Sequence, residues 1–137
     1  MNIMIRKIRI ESKLSNLRKV ENTVDEITVE LGISDNNYGK ILVSLLEAVN
    51  NAIIHGNHSS PDLFVDITIE YKKDKLTIKV KDEGSGFSPH KVPDPTIREN
   101  IEEVNGRGVF IMSRLADEIK YSKKGNSVSL IFNNVIS

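Results

Sequence analysis

Between Leu63 and Val80 the apolar residues stand at every second position: Leu63, Val65, Ile67, Ile69 and Tyr71, then Leu76, Ile78 and Val80 beyond a polar turn at Lys72–Lys75. Side chains of a strand alternate between two faces, so this pattern makes a hairpin with one face buried and the other wet. Such a face needs a cover, and the preceding segment supplies it at a different period. Leu17, Val20, Val24, Ile27 and Leu31 recur at threes and fours, as do Tyr38, Ile41, Leu42, Leu45, Val49, Ala52 and Ile53. The first set predicts a helix from Ser15 to about Leu31, stopped by Gly32. Ser34 or Asp35 caps the second helix, and Gly56 follows it.

Upstream, Ile3, Ile5, Ile8 and Ile10 among Arg6, Lys7 and Arg9 predict an amphipathic first strand whose alternation slips between Ile5 and Ile8. Downstream, Asp82–Phe87 is glycine-rich, and residues 88–105 are polar, with Pro89, Pro93, Pro95 and a short helical piece at Ile97–Glu103. Val109–Ala116 predicts a third helix. Glu118–Ser122 and Ser127–Phe132 predict two more strands, joined at Lys124-Gly125-Asn126. Strands clustered in this way favour an α+β two-layer sandwich, with helices on one face of a mostly antiparallel sheet, over a parallel doubly wound one.

At 137 residues the chain predicts a single domain spanning 1–137. Such a domain buries about two-thirds of its unfolded surface, enough for one core without staples. Nineteen basic residues balance nineteen acidic ones, which argues against a nucleic-acid partner held by bulk positive charge. The absence of cysteine removes disulfides, thiol nucleophiles and thiolate metal sites. No apolar run approaches the ~18 residues of a membrane span, and Met1–Ser12 lacks the apolar centre of a signal peptide. A soluble cytoplasmic protein without a membrane partner is expected.

Three segments have the composition of a ligand site. In Glu47-Ala48-Val49-Asn50-Asn51-Ala52-Ile53-Ile54-His55-Gly56, helical spacing puts Glu47, Asn51 and His55 on one ridge beside the apolar stripe. A carboxamide oxygen suits hard Mg²⁺, and a carboxylate one turn away can accept a proton. The alternative is a solvated helix face. In Val80-Lys81-Asp82-Glu83-Gly84-Ser85-Gly86-Phe87, two glycines after a strand let a ligand approach the main chain, and Asp82 can accept from an exocyclic amine. The alternative is an ordinary glycine turn. In Asn105-Gly106-Arg107-Gly108-Val109-Phe110-Ile111-Met112, a polar loop opens a helix whose free N–H groups make an anion site. Arg107 adds a charge there, or else points to solvent. The long proline-bearing loop between the last two segments has the length of a functional lid. Together the three describe a site for ATP and Mg²⁺.

These motifs resemble those of the GHKL superfamily of ATP-binding domains, whose architecture is the Bergerat fold, and most closely the bacterial anti-sigma-factor serine/threonine kinases. Glu47–Gly56 is similar to the family's Asn box, Asp82–Phe87 to its first glycine box and Gly106–Met112 to its second, in the family's order, with the likeness extending over about residues 10–132. The resemblance implies Mg²⁺ on Asn51, Glu47 as general base toward a serine or threonine hydroxyl, and Asp82 on the adenine amino group. It implies Gly84 and Gly86 under the adenine and the amides of Gly106 and Gly108 at the phosphates, with Val109 at the same helix start, while Arg107 between the glycines meets phosphate or partner or else points to solvent. Ser127 stands where the family has a threonine in the adenine–water network. His55 is read as structural, and Asn50, His58 and His90 as surface residues.

The function implied is an ATP- and Mg²⁺-dependent protein-serine/threonine kinase. It would phosphorylate a STAS-type anti-anti-sigma partner and sequester a sigma factor, so regulating transcription, with a homodimer possible. The alternative is a docking module that holds nucleotide with little or no transfer. A detached histidine-kinase domain is disfavoured because no helical hairpin with a phospho-accepting histidine precedes the core. A gyrase- or MutL-type ATPase is disfavoured because no transducer domain follows Phe132. The 18 residues at 88–105 are a short lid for the superfamily, which suits the small serine kinases.

Overall fold

A computed structural model describes residues 3–84, 115–124 and 126–136. Five strands, β1 (Ile3–Glu11), β2 (Phe64–Lys72), β3 (Lys75–Lys81), β4 (Glu118–Tyr121) and β5 (Ser127–Asn133), form one sheet in the order β1-β2-β3-β5-β4. Every neighbouring pair is antiparallel. Helices α1 (Leu17–Leu31) and α2 (Asp35–Asn51) pack on one face of it, which is the two-layer α+β sandwich expected from the clustered strands. The expected pieces at 97–103 and 109–114 lie outside the described residues.

The period-two pattern sets the register. Ile67 faces Val80, Ile69 faces Ile78 and Tyr71 faces Leu76, and β5 continues these rows with Val128, Leu130 and Phe132. Lys73 and Asp74 join β2 to β3 with φ of 53° and 57°, the left-handed pair that a two-residue hairpin needs to match the strands' twist. Against these rows lie Val20, Val24 and Ile27 of α1 and Ile41, Leu45, Ala48 and Val49 of α2, all buried. Leu45 is fully enclosed, so its truncation to Ala costs about 2–5 kcal/mol.

The slip read in the first strand is not a bulge. β1 runs nine residues in unbroken register from Ile3 opposite Lys72 to Glu11 opposite Phe64. Ile8 and Ile10 therefore share the helix-facing side with Met4 and Arg6, while Ile3 and Ile5 sit on the opposite face, 54% and 59% exposed. Arg6 is the one charge in its inward row, opposite Ile69. It reaches Glu26 at 3.1 Å and Glu30 at 2.7 Å, one turn apart on α1. With the glutamates exposed, these pairs orient the edge strand more than they stabilise it.

The helix ends follow from their caps. Gly32 takes φ of 73° and closes α1 on the Thr28 carbonyl. Ser34 is the N-cap of α2, its Oγ accepting from the Asn37 amide at 3.3 Å. Near this start the Tyr38 hydroxyl donates to Asp25 at 2.6 Å, tying the two helices together. The end of α2 departs from expectation. The α-helix stops at Asn51, and Ala52–Gly56 forms a wider π turn. No helix among the described residues is long and apolar enough to cross a membrane.

Candidate functional site

The C-terminal half of α2 carries Glu47 and Asn51 one turn apart, both half-buried beside the enclosed Ala48 and Ala52. A carboxylate and a carboxamide at this spacing can serve one ligand. The π turn follows at once. It is closed by the Asn57 amide on the Ala52 carbonyl at 2.9 Å, and the Ser59 amide then reaches the Ile53 carbonyl at 2.8 Å. Single π turns of this kind concentrate at functional sites, because the extra residue re-aims the chain. Here the chain turns Gly56 toward the end of β3, while His55 remains exposed.

At Gly56 the two motifs meet. A Cβ on Gly56 would stand 2.3 Å from both Cγ and Oδ2 of Asp82, and a Cβ on Gly84 would stand 2.1 Å from the Gly56 carbonyl oxygen. Both contacts are closer than any side chain allows. The Asp82 carboxylate thus lies directly over the Gly56 backbone, and Gly84 packs back against the Gly56 carbonyl.

Asp82 is held through its main chain. Its N–H donates to the Asn126 carbonyl at 2.9 Å, and its own carbonyl accepts from Asn126 Nδ2 at 3.3 Å. Its Oδ1 accepts from the Gly84 amide at 2.8 Å. Burial pushes the carboxyl above the ordinary 3.8, and the Gly84 amide and the charges of His58 and Lys124 offset part of that shift. Among the described residues, no donor reaches Asp82 Oδ2, which leaves an acceptor for a ligand amine.

The residues that sequence reading passed over are Asn57 and Asn126; Gly56 was read only as the end of the first motif, without its contact to Asp82. Glu83, between Asp82 and Gly84, donates its N–H to Asn57 Oδ1 at 2.8 Å and accepts with its carboxylate from the Phe64 amide. Asn126 immediately precedes β5, next to Ser127, which was read at the family's threonine position, and Asn126 is the residue that touches Asp82. Ser127 itself is opposite Lys81 in the ladder, on the face away from the helices, and is almost enclosed. The strand alternation carries the signal that was missed. Val128 points to the core, so Asn126, two residues before it, shares that side. Asn50, read as a surface residue, is half-buried, and His58 is exposed with φ of 51°. Gly86, Gly106, Arg107, Gly108 and Val109, and with them His90, lie outside the described residues.

The donor set fits the ligands expected of it. Asn51 offers a carboxamide oxygen and Glu47 a carboxylate, both oxygen donors of the kind hard Mg²⁺ takes. The interlocked backbone at Gly56 and Gly84 is a place that a Cβ would fill, beside an acceptor suited to an amino group.

Comparisons with known proteins give the family. The histidine kinase-like ATPase domain family matches residues 10–132. An anti-sigma F factor of Clostridium acetobutylicum is 33% identical over 129 residues, covering 87% of this chain and 89% of that protein. One from Shouchella clausii is 34% identical over 101 residues (72% and 68%), and one from Clostridium beijerinckii is 28% identical over 137 residues (95% of each). Among solved structures, the RsbU and RsbW domains of a Mycobacterium tuberculosis protein match with a TM-score of 0.69 at 15% identity, over 95% of this chain and 32% of that one. That likeness is one of fold. Because the family model spans most of its length, this chain belongs to the histidine kinase-like ATPase family of the GHKL superfamily, and within it the chain is similar to anti-sigma F factors.

Proposed function

We propose that the chain binds ATP with Mg²⁺ and acts as an anti-sigma-factor-type protein-serine/threonine kinase. Its substrate is a STAS-type anti-anti-sigma protein, and in the absence of that partner it holds a sigma factor. The observation that carries this reading is the contact of Gly56 with Asp82, because it joins the helix bearing Glu47 and Asn51 to an acceptor suited to adenine. The similarity to anti-sigma F factors supports the choice of partners.

In this reading Asp82 Oδ2 accepts from the adenine 6-amino group, and Gly84 and Gly86 let the base lie close to the backbone. Asn126, which already grips the Asp82 main chain, stands at the adenine end in place of Ser127, whose side chain faces away from the helices. Gly106, Gly108, Val109 and Arg107 supply amides and charge at the phosphates. Asn51 would hold Mg²⁺, which when bound neutralises charge on the triphosphate oxygens. Glu47 orients the hydroxyl of the partner's serine and takes its proton as that oxygen bonds to the γ-phosphorus. The bond from the γ-phosphorus to the bridging oxygen breaks, and ADP leaves. Little covalent help is needed, since phosphoryl transfer depends mainly on position and electrostatics.

The test is incubation with labelled ATP, Mg²⁺ and purified STAS-domain proteins, followed by phosphosite mapping. Label on a serine or threonine of the partner, lost in Glu47→Gln, is expected. Tight ATP binding without transfer to any candidate would instead favour the docking module.

A further inference from the structure

Asn57 is 1% exposed, and its carboxamide touches the ends of three strands. Nδ2 donates to Ser12 Oγ at 2.8 Å, just past β1, and to the Phe64 carbonyl at 3.0 Å, where β2 begins. Oδ1 accepts from the Glu83 amide at 2.8 Å, just past β3. Both amide hydrogens and the oxygen are thus engaged, which leaves the group one orientation. The backbone N–H of the same residue closes the π turn on Ala52. Asn57 therefore fixes where the helix ends and where β3 ends with respect to each other.

The Glu83 amide is half of one peptide plane with the Asp82 carbonyl. Asn57 Oδ1 holds the N–H of that plane, and Asn126 Nδ2 holds its carbonyl. A peptide gripped at both polar groups resists rotation, and that rotation couples the ψ of Asp82 to the φ of Glu83. The Asp82 N–H, on Asn126, restrains the other side. What remains to aim the carboxylate is a short side chain already lying on Gly56.

We infer that Asn57 is a positioning residue for base recognition, which by holding the Glu83 amide keeps Asp82 aimed at the 6-amino group of an adenine nucleotide and so sets the preference for adenine over 6-oxopurines. The inference rests on the nucleotide-binding reading above and adds to it the residue that sets base selectivity. A wholly structural Asn57 would affect all nucleotides alike, whereas an aiming residue affects only the ligand that carries the amino group. Ser12 supplies the internal control, because it touches the same carboxamide on the side away from Glu83.

The experiment measures affinities of the full chain for ATP and for inosine triphosphate, which has a carbonyl in place of the 6-amino group. Wild type is expected to prefer ATP. Asn57→Ala should narrow that ratio about five-fold, the scale of one neutral hydrogen bond, with affinity for inosine triphosphate nearly unchanged. Asn57→Asp, which keeps an acceptor for the Glu83 amide, should restore most of the ratio. Ser12→Ala should lower the melting temperature and leave the ratio alone. If Asn57→Ala does not fold, Asn57→Ser, whose hydroxyl is too short to reach the Glu83 amide, takes its place. A wild-type ratio retained in the folded Ala or Ser variant overturns the positioning role and leaves the nucleotide reading standing. A wild type without preference between the two nucleotides overturns the base-recognition reading and this inference with it.

Discussion

The Asp82 carboxylate lies on the bare backbone of Gly56, so close that a single methyl there would stand 2.3 Å from Cγ. The atoms in the way are the end of a short side chain, which can swing aside. Gly56→Ala is therefore expected to keep the fold and misplace the acceptor. ATP affinity should fall about ten-fold or more, the equivalent of ~1.4 kcal/mol, with near-native circular dichroism. Calorimetric titration alongside a thermal melt checks both halves. Unchanged ATP affinity in Gly56→Ala would show that Asp82 does not meet the base from this position.

Gly84 gives the opposite balance. A Cβ there meets the Gly56 carbonyl oxygen at 2.1 Å, and a backbone atom of a closed π turn has no side-chain freedom with which to retreat. Gly84→Ala should therefore cost stability first, about 1–3 kcal/mol as an overpacked contact. Denaturant melts of the two alanine variants should rank Gly84→Ala below Gly56→Ala, and the reverse order would contradict this assignment of contacts.

Most of the fold was legible because the patterning was strong. The alternation from Val65 to Val80 set a hairpin, and Gly32 and Ser34 marked helix ends that the structure reproduces. The first strand was harder. Ile3 and Ile5 are apolar on the open face while Arg6 occupies an inward position, so composition and burial disagree over β1. The sheet register resolves what the pattern could not, because pairing with β2 fixes which face each residue takes. At the site, Asp82 was visible from its place at a strand's end. Asn57 was not, since a lone asparagine in a polar loop carries no periodicity, and Asn126 shows only when the alternation of β5 is extended back past Val128. Their roles come from long-range contacts, Asn57 to Glu83 and Asn126 to Asp82, that local sequence does not encode.

Glu47 and Asn51 are one turn apart on α2 and both half-buried, yet their substitutions should separate cleanly. Glu47→Gln keeps shape and polarity and removes only the proton acceptor. ATP binding should stay within about two-fold, while transfer to the partner falls about 10²–10⁴-fold, the usual worth of a general base. Asn51→Ala removes the oxygen that would hold the metal, so ATP affinity measured with Mg²⁺ should drop toward its value without Mg²⁺. Equilibrium binding and single-turnover phosphorylation on the same two variants make the comparison, and wild-type transfer in Glu47→Gln would remove the base assignment.

Asp82 should carry a conflict between stability and binding that pH can expose. Burial raises its carboxyl in the folded state, so the folded chain holds that proton more tightly than the unfolded one. Stability from this group is therefore greatest at low pH. It is lost as pH rises from the ordinary 3.8 through the raised folded value, the reverse of a carboxylate in an ion pair. Asp82→Asn keeps an oxygen for the Gly84 amide and discards the charge. At neutral pH it should melt higher than wild type without ligand, and the gap should shrink as pH falls through that window. Binding should move the other way, because a protonated Asp82, or an asparagine, is a poorer acceptor for an amino group than a carboxylate. ATP affinity of wild type should then weaken over the same acid range in which its fold gains stability, and Asp82→Asn should bind weakly at every pH. Melting curves and titrations on both proteins across that range test the two trends together. A ligand-free Asp82→Asn less stable than wild type at neutral pH would mean that its hydrogen bonds outweigh the cost of burying its charge.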